Sequence, residues 1–246
     1  MQNPATPLIE LKNQHDFLIC IYSDGCAFDS MEIKHKECFC PNTINAWGLQ
    51  PVSKFAREAA EFVNLYSKYR GINRFPALFK VFELLENRKE VQERDFQIPD
   101  YQAVKDWAAT EKNLGNPALI RAVEETHDPI LTRALGWSND VNEAVEKIVR
   151  NVPPFPHVRE SLTAMNEVAD AIVVSATPSE ALEREWAEHD IAQYVKVIAG
   201  QEMGNKKDCI ALAMKGRYAP NHVLMMGDAP GDQKAAKANG VLFYPI

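Results

Sequence analysis

The chain has 246 residues, of which 46% are hydrophobic and 25% are charged, as in an ordinary soluble globular protein. The formal net charge of −7 argues against nucleic acid or an anionic membrane as the main partner, because both are themselves negatively charged. No apolar run reaches the roughly 18 residues that a membrane-spanning helix needs, and no basic start precedes an apolar segment at the N-terminus, so we expect a cytoplasmic protein.

Five cysteines are spread through the chain, an odd number, and one of them lies inside an apolar, strand-like run. We therefore expect reduced thiols. Cys38 and Cys40 lie near His35, but this spacing matches no common zinc motif and no second pair of ligands follows. We expect no zinc site at these positions.

The first predicted element is a buried strand over residues 17–23, a short apolar run that leads into Asp24 and Gly25. From Met31 onwards, apolar residues recur at the three-to-four spacing that is typical of amphipathic helices. A proline-rich stretch over residues 151–156 then breaks the helical pattern. Strands and helices alternate after it, with helices over 158–169, near Ser179, from Asp208 and over 233–238, and strands over 171–175, 194–200, 222–228 and 241–245.

This order of elements predicts an α/β fold in which a doubly wound parallel sheet carries helical crossovers. The helical stretch between the first strand and the later alternation is predicted to be an inserted domain. The expected division is an α/β core of residues 1–30 and 154–246 with a helical insertion over residues 31–153.

Polar motifs follow four of the predicted strands. In an open α/β sheet, ligands bind beyond the carboxyl ends of the strands, so we expect these motifs to meet at one edge. Carboxylates are suitable ligands for Mg²⁺, and a lysine with a hydroxyl and backbone N–H groups is suited to a phosphoryl group. The motifs are Tyr22 to Gly25 with Asp29 and Ser30, then Ser175, then Lys206 or Lys207, and last Asp228 with Asp232.

The ordered combination of DGCAFDS near the N-terminus and GDAPGD before AAKANG resembles the haloacid dehalogenase-like superfamily, in the branch of phosphoglycolate phosphatase and β-phosphoglucomutase. The resemblance covers residues 15–30 and 155–246. It implies a Rossmann-like core with an inserted helical cap. It also implies Mg²⁺-dependent hydrolysis of a small phosphorylated metabolite, by a monomer or a homodimer.

The family's first motif, DxDGT, assigns roles to the first loop. Gly25 and Asp29 fix the register, so Asp24 falls on the second aspartate, a general acid and base that also helps to hold the metal. Cys26 then falls on the threonine, and Tyr22 falls on the nucleophilic aspartate.

The later motifs of the family supply the remaining roles. The resemblance assigns phosphate binding to Ser175, the adjacent Ala176 and Lys206. Lys207 is the alternative to Lys206. Asp228 and Asp232 are assigned to the metal together with Asp24, although Asp232 precedes a predicted helix and N-capping is a rival interpretation.

Tyr22 conflicts with the chemistry that the other motifs imply. A phenol with a pKa near 10 is only about 0.1% ionised at pH 7, and its oxygen projects past the attacking position. The resemblance therefore predicts a member of the family that has lost phosphoryl transfer, or a normal phosphatase in which position 22 has been changed. A slipped register would make Asp24 the nucleophile and put Cys26 at the acid/base position, but it breaks the fit of Gly25 and Asp29.

Two other functions compete with an impaired phosphohydrolase. The first is a non-catalytic protein that binds a phosphate ligand or regulates a partner on the same fold. The second is a different reaction on the same scaffold, such as C–halogen or C–P cleavage, which in the family also needs the first aspartate. Four basic residues of the helical insertion could contact a leaving group, although surface charge is the simpler interpretation: Lys34, His35, Arg70 and Arg74.

Overall fold

A computed structural model describes residues 3–112 and 114–246 of the chain. The chain divides into two compact units. One, called the α/β unit below, comprises Met1–Met31 and Arg150–Ile246. The other, called the helical unit, comprises Glu32–Val149.

The α/β unit is built on a parallel sheet, which confirms the predicted fold class. Its strands in the described residues lie in the order β3-β2-β1-β4-β5, and every neighbouring pair is parallel. The strands are β1 (Leu18–Ile21), β2 (Asp170–Val174), β3 (Val197–Ala199), β4 (Val223–Gly227) and β5 (Leu242–Pro245).

Helices occupy the segments between these strands and make up the helical unit. The helical unit also contains π-helical turns at Lys34–Phe39 and Phe62–Tyr66. No helix of the described residues is both long enough and apolar enough to cross a membrane. The α-helices are α1 (Thr6–Ile9), α2 (Met31–Ile33), α3 (Cys40–Ala46), α4 (Ser53–Glu61), α5 (Arg74–Glu86), α6 (Lys89–Gln92), α7 (Gln102–Thr110), α8 (Asn116–Thr126), α9 (Pro129–Ile148), α10 (Val158–Asn166), α11 (Ser179–Glu188), α12 (Lys206–Met214) and α13 (Pro230–Asn239).

Strand β1 lies at the centre of the sheet because its short apolar sequence, LICI, can be buried on both faces. Ile21, its last residue, pairs with Val173 of β2 and with Met226 of β4. The strand is shorter than the predicted 17–23, although the N–H of Tyr22 still donates to the carbonyl of Met226 at 3.0 Å. The residues that follow β1, β2 and β4 therefore lie at the same edge of the sheet.

Two close approaches of the backbone show where the α/β unit depends on glycine. A Cβ added to Gly200, just after β3, would lie 2.4 Å from the backbone nitrogen of Ser179 at the start of α11. A Cβ added to Gly227, the last residue of β4, would lie 2.6 Å from the Cβ of Asp232. The first turns of α11 and α13 can lie this close to the strand ends only because neither glycine has a side chain.

A buried carboxylate ties the opposite edge of the sheet to the N-terminal segment. Asp170, at the start of β2, accepts hydrogen bonds from the N–H groups of Gln14 at 2.8 Å and His15 at 3.1 Å and from the Tyr218 hydroxyl at 2.6 Å. It also pairs with Lys196 Nζ at 2.8 Å. Burial alone would raise the pKa of Asp170, but the bonds from Lys196, Tyr218 and the two N–H groups lower it below its ordinary value.

We expect opposite effects from the same substitution at two glycines. Gly200→Ala should lower the free energy of unfolding by about 1–3 kcal/mol, because the new methyl group meets the backbone of Ser179. Gly136→Ala, at an exposed position inside α9 with no heavy atom within 4 Å, should raise it by about 0.5–1 kcal/mol. Urea denaturation of both variants beside the parent protein measures these changes. Equal effects at the two positions would contradict the close packing at Gly200.

We expect Asp170→Asn to destabilise the protein in a pH-dependent way. At neutral pH the loss should be about 1.5–3 kcal/mol, the usual contribution of hydrogen bonds to a charged group. Because the folded-state pKa of Asp170 is lowered, its contribution is fully present above the unfolded pKa of about 4 and is lost progressively as the pH falls through the lower folded-state pKa.

The measurement is the difference in unfolding free energy between parent and variant across this pH range, with Tyr218→Phe as the control that removes a single bond. A difference that stays constant between pH 7 and pH 3 would show that the charge of Asp170 does not stabilise the fold.

Candidate active site

The first loop of the site is a tight turn after β1. The carbonyl of Ser23 accepts hydrogen bonds from the N–H groups of Ala27 at 2.8 Å and Phe28 at 3.0 Å. Gly25 takes a left-handed φ of 76° and donates its N–H to the carbonyl of Phe28 at 2.8 Å. A residue without a Cβ is favoured at this position, which gives the Asp-Gly pair of the motif a structural reason. The turn holds Asp24 inward with 4% exposure.

Both carboxylate oxygens of Asp24 face hydroxyl donors. Ser30 Oγ donates to Oδ1, and Thr177 Oγ1 donates to Oδ2 at 3.0 Å. Thr177 belongs to the loop after β2, so Asp24 connects the loops that follow two neighbouring strands. The predicted acid/base residue is therefore a hydrogen-bond acceptor for two protein side chains.

Tyr22, Lys206 and Asp232 form a stacked group at the same edge. The phenol ring of Tyr22 is 8% exposed, and Lys206 Nζ lies 3.5 Å from its centroid. The same ammonium forms an ion pair with Asp232 Oδ1 at 2.5 Å, and Asp232 is fully buried. A cation over an aromatic face contributes about 0.5–2 kcal/mol, and the buried ion pair fixes the ammonium in place. Lys206 is thus held between a ring and a carboxylate.

The choice between Lys206 and Lys207 is decided by the start of α12. The sequence predicted a helix from Asp208, but α12 begins at Lys206 because Asn205 caps it, its side chain accepting the N–H of Asp208 at 3.0 Å. Lys206, in the first turn, has a side chain only 14% exposed. Lys207 is exposed, and its carbonyl accepts a hydrogen bond from Asn239.

The loop after β2 contains the predicted phosphate-binding residues. Ser175 is 1% exposed, and its hydroxyl accepts the N–H of Thr177 at 3.2 Å. Ala176 between them is exposed. At the start of α11, however, Glu202 accepts both the N–H of Ser179 at 2.9 Å and its hydroxyl at 3.0 Å. A carboxylate of the protein therefore already lies at the helix N-terminus where an anion site was expected.

Asp228 and Asp232 follow β4 and lie near the thiol of Cys26. Burial first, and the negative charges of Asp228 and Asp232 next, raise the pKa of Cys26 to about 12. A thiol with this pKa is protonated at neutral pH and is a poor general base. The slipped register that assigns acid/base chemistry to Cys26 is therefore not supported by its surroundings.

Asp232 also has the capping role that the sequence analysis kept open. Helix α13 begins at Pro230, and Asp232 Oδ2 accepts the N–H of Ala229, the residue before the helix, at 3.1 Å. Its other oxygen is paired with Lys206. Helix capping therefore describes a contact that Asp232 makes, and its assignment to a metal stays a prediction.

Two of the three predicted magnesium ligands at this edge, Asp24 and Asp232, accept hydrogen bonds or an ion pair from groups of the protein. Mg²⁺ requires oxygen ligands at about 2.0–2.1 Å in near-octahedral geometry. Asp24 accepts hydrogen bonds from two hydroxyls, and Asp232 accepts an ammonium and an N–H. Over residues 3–112 and 114–246, no three His, Cys, Asp or Glu side chains are grouped in a way that would hold a metal ion.

Sequence reasoning missed several residues that complete the site. Thr177 donates a hydrogen bond to Asp24, and Glu202 accepts one from the N–H of Ser179. Ser23, fully buried, accepts the indole N–H of Trp186 at 3.0 Å and donates to Glu185 at 3.2 Å. Thr177 was within reach of the sequence, because it follows Ser175 by two residues in a loop. Glu185 and Trp186 lie 162 and 163 residues from Ser23, and Glu202 lies 23 residues from Ser179, so no short-range sequence pattern indicates these contacts.

Comparisons with known proteins agree with the fold. A family model described as haloacid dehalogenase-like hydrolase matches residues 100–245, more than half of the 246-residue chain. Tyr22 lies outside the matched residues. No curated protein is matched.

Two solved structures show the same likeness. A haloacid dehalogenase-like family hydrolase from Streptococcus pneumoniae is similar over 93% of this chain and 83% of its own, at 14% identity and a TM-score of 0.52. A predicted phosphoglycolate phosphatase from Haemophilus somnus is similar over 95% of this chain and 86% of its own, at 14% identity and a TM-score of 0.52. Likeness at this identity concerns the fold alone.

The parallel sheet with its polar edge, the matched family model and the two solved structures agree with one another. This chain belongs to the haloacid dehalogenase-like hydrolase family.

Proposed function

We propose that this chain is a phosphohydrolase-type member of the family in which hydrolysis of a small phosphate ester is disabled at Tyr22. The observation that carries the proposal is the position of Lys206 Nζ, 3.5 Å from the centroid of the Tyr22 ring and paired with Asp232. The ammonium that would offset the charge of a phosphoryl group is instead satisfied inside the protein.

The assignment of Tyr22 to the nucleophile position supports this proposal through chemistry as well. Attack on phosphorus requires an ionised oxygen in line with the leaving group, and a phenol is about 0.1% ionised at neutral pH. The 8% exposed ring also fills space beside Lys206 that a shorter carboxylate would leave open. Turnover is thus opposed by both charge and shape.

Magnesium is the cofactor that the family resemblance implies, and its function would be to neutralise a phosphoryl group. We infer that this chain lacks that ion at the predicted ligands, because Asp24 and Asp232 already bind donors of the protein. Asp24 with Asp228 and Asp232 stays a predicted ligand set, and we derive no step of a reaction from it.

A second candidate function is the binding of a phosphorylated metabolite without hydrolysis. It is favoured by Ser175, a buried residue next to the exposed Ala176 in the loop after β2. It is opposed by Glu202, whose carboxylate accepts the first N–H of α11. The use of the helical unit as a cap, and assembly as a monomer or homodimer, stay predictions under either function.

Replacing the ring by a carboxylate should restore activity if Tyr22 lies at the nucleophile position. We expect no hydrolysis of an aryl phosphate by the parent protein in the presence of Mg²⁺. We expect turnover by Tyr22→Asp at least about 10²-fold above background, the factor that correct placement of a reacting group commonly supplies. Release of the aryl alcohol, followed by absorbance, measures the rate.

Tyr22→Asn is the matched control, because it removes the same ring and has nearly the shape of aspartate but cannot form an acyl phosphate. Activity in Tyr22→Asp alone supports the assigned roles. Activity in the parent protein that Asp24→Asn abolishes would instead show that Asp24 is the nucleophile, and the proposal would be wrong.

Magnesium should stabilise only the variant with the restored carboxylate. A ligand that binds the folded state alone raises stability by RT ln(1 + [L]/Kd), about 2.7 kcal/mol at 100 times Kd. We expect the melting temperature of Tyr22→Asp to rise when Mg²⁺ replaces EDTA, and those of the parent and Tyr22→Asn to stay unchanged. A rise of the same size in the parent protein would show that its acidic residues do accept the ion.

A further inference from the structure

Arg74, in the helical unit, is a partly buried cation whose hydrogen bonds all go to neutral groups. It is the first residue of α5, and its Nη1 donates to the carbonyl of Ser138 at 3.1 Å, the hydroxyl of Ser138 at 2.9 Å and Asn142 Oδ1 at 2.8 Å. Its guanidinium carbon lies 5.3 Å from the centroid of the Phe39 ring. No carboxylate of the described residues forms an ion pair with it.

The burial of this charge is not offset by an acidic side chain. Burial lowers the pKa of Arg74 to about 10, and no nearby carboxylate raises it again. The group therefore stays cationic at neutral pH. Arg74 is half-buried, so its charge loses part of its hydration without a counter-charge. Neutral acceptors and one aromatic face compensate for only part of that cost.

One edge of the guanidinium makes no hydrogen bond with the described residues. An arginine offers five N–H donors, and the three bonds of Arg74 all use Nη1. The N–H groups of Nε and Nη2 remain, and this pair of nitrogens is one side of the planar fork that binds carboxylate and phosphate through two parallel bonds. Asn142, beside the guanidinium, is exposed, so the group lies close to solvent.

We propose that Arg74 binds a small oxyanion, the carboxylate or phosphate group of a ligand, through its Nε and Nη2 edge. Ser138 and Asn142 hold the guanidinium from the side of Nη1, and Phe39 lies against it. This site belongs to the helical unit alone and does not depend on whether Tyr22 prevents hydrolysis. This binding role differs from the role predicted from the sequence, in which Arg74 is only a surface charge.

A purely structural role makes a different prediction. In that case Arg74 joins α5 to α9 through the Nη1 bonds, the Nε and Nη2 edge is solvated, and anions have no specific effect. The two roles are separable because the structural bonds and the proposed binding edge use different nitrogens.

The test compares thermal unfolding in sodium phosphate, sodium acetate and sodium chloride at equal ionic strength. We expect a saturable rise of the melting temperature in phosphate or acetate, and at least about a tenfold loss of apparent affinity in Arg74→Gln, the usual effect of removing hydrogen bonds to a charged group. Arg74→Lys should bind more weakly than the parent because an ammonium has no fork. A response to only one of the two anions assigns the ligand class.

The matched control is Arg133→Gln, a second arginine of the helical unit, which lies over the ring of Trp47 and is exposed. Its melting temperature should rise with phosphate or acetate as that of the parent protein does. Because phosphate stabilises folded proteins in general, a rise shared by all variants is subtracted as background. Lys206→Gln should keep the effect as well. An effect that is lost in Lys206→Gln and kept in Arg74→Gln would place the anion in the α/β unit and overturn the inference.

A second measurement covers the case in which Arg74→Gln does not fold. In the parent protein, the NMR signals of arginine Nε–H groups are followed during titration with phosphate and with acetate, and Arg74→Lys identifies the signal of Arg74. We expect that signal to shift saturably. If it stays unshifted with both anions, Arg74 has a structural role only.

Discussion

The pairing of β1 with two neighbours in parallel register is the constraint on which the rest of the α/β unit depends. Ile21 lies opposite Val173 on one side and Met226 on the other. The carboxyl ends of β1, β2 and β4 therefore lie side by side at one edge of the sheet. The loops that follow β1 and β2 carry Asp24 and Thr177, and the first turn of α13 after β4 carries Asp232. This register brings Asp24 and Thr177, 153 positions apart, within hydrogen-bonding distance. A shift of β1 by one residue would turn its own side chains to the opposite faces of the sheet.

The polar groups gathered at this edge bind one another. Asp24 accepts two hydroxyls, Lys206 lies between Tyr22 and Asp232, and Glu202 caps α11. An edge built for an external anion and a cation would leave such groups to be completed by ligands. Here the Lys206 ammonium lies beside the Asp232 carboxylate, and the Glu202 carboxylate accepts the N–H of Ser179 at the start of α11.

The sequence was informative where the signal is local. The apolar run before Asp24, the alternation of strands and helices, and the position of Ser175 after β2 all follow from short-range patterns, and the cap at Asn205 could have placed the start of α12 correctly. The contact between Tyr22 and Lys206 could not be predicted, because it depends on side-chain positions across the fold. The same holds for Arg74, whose neutral partners lie 64 and 68 residues away.

The ring of Tyr22 has a consequence for the gene as well as for the protein. Tyrosine and aspartate codons differ only in their first base, so one nucleotide separates this chain from one with a carboxylate at position 22. A change at position 22 would leave the residues around the Tyr22 ring as they are. The ammonium of Lys206 lies over one face of the Tyr22 ring and forms an ion pair with Asp232. A one-base change would thus place a carboxylate in a neighbourhood arranged around the aromatic ring.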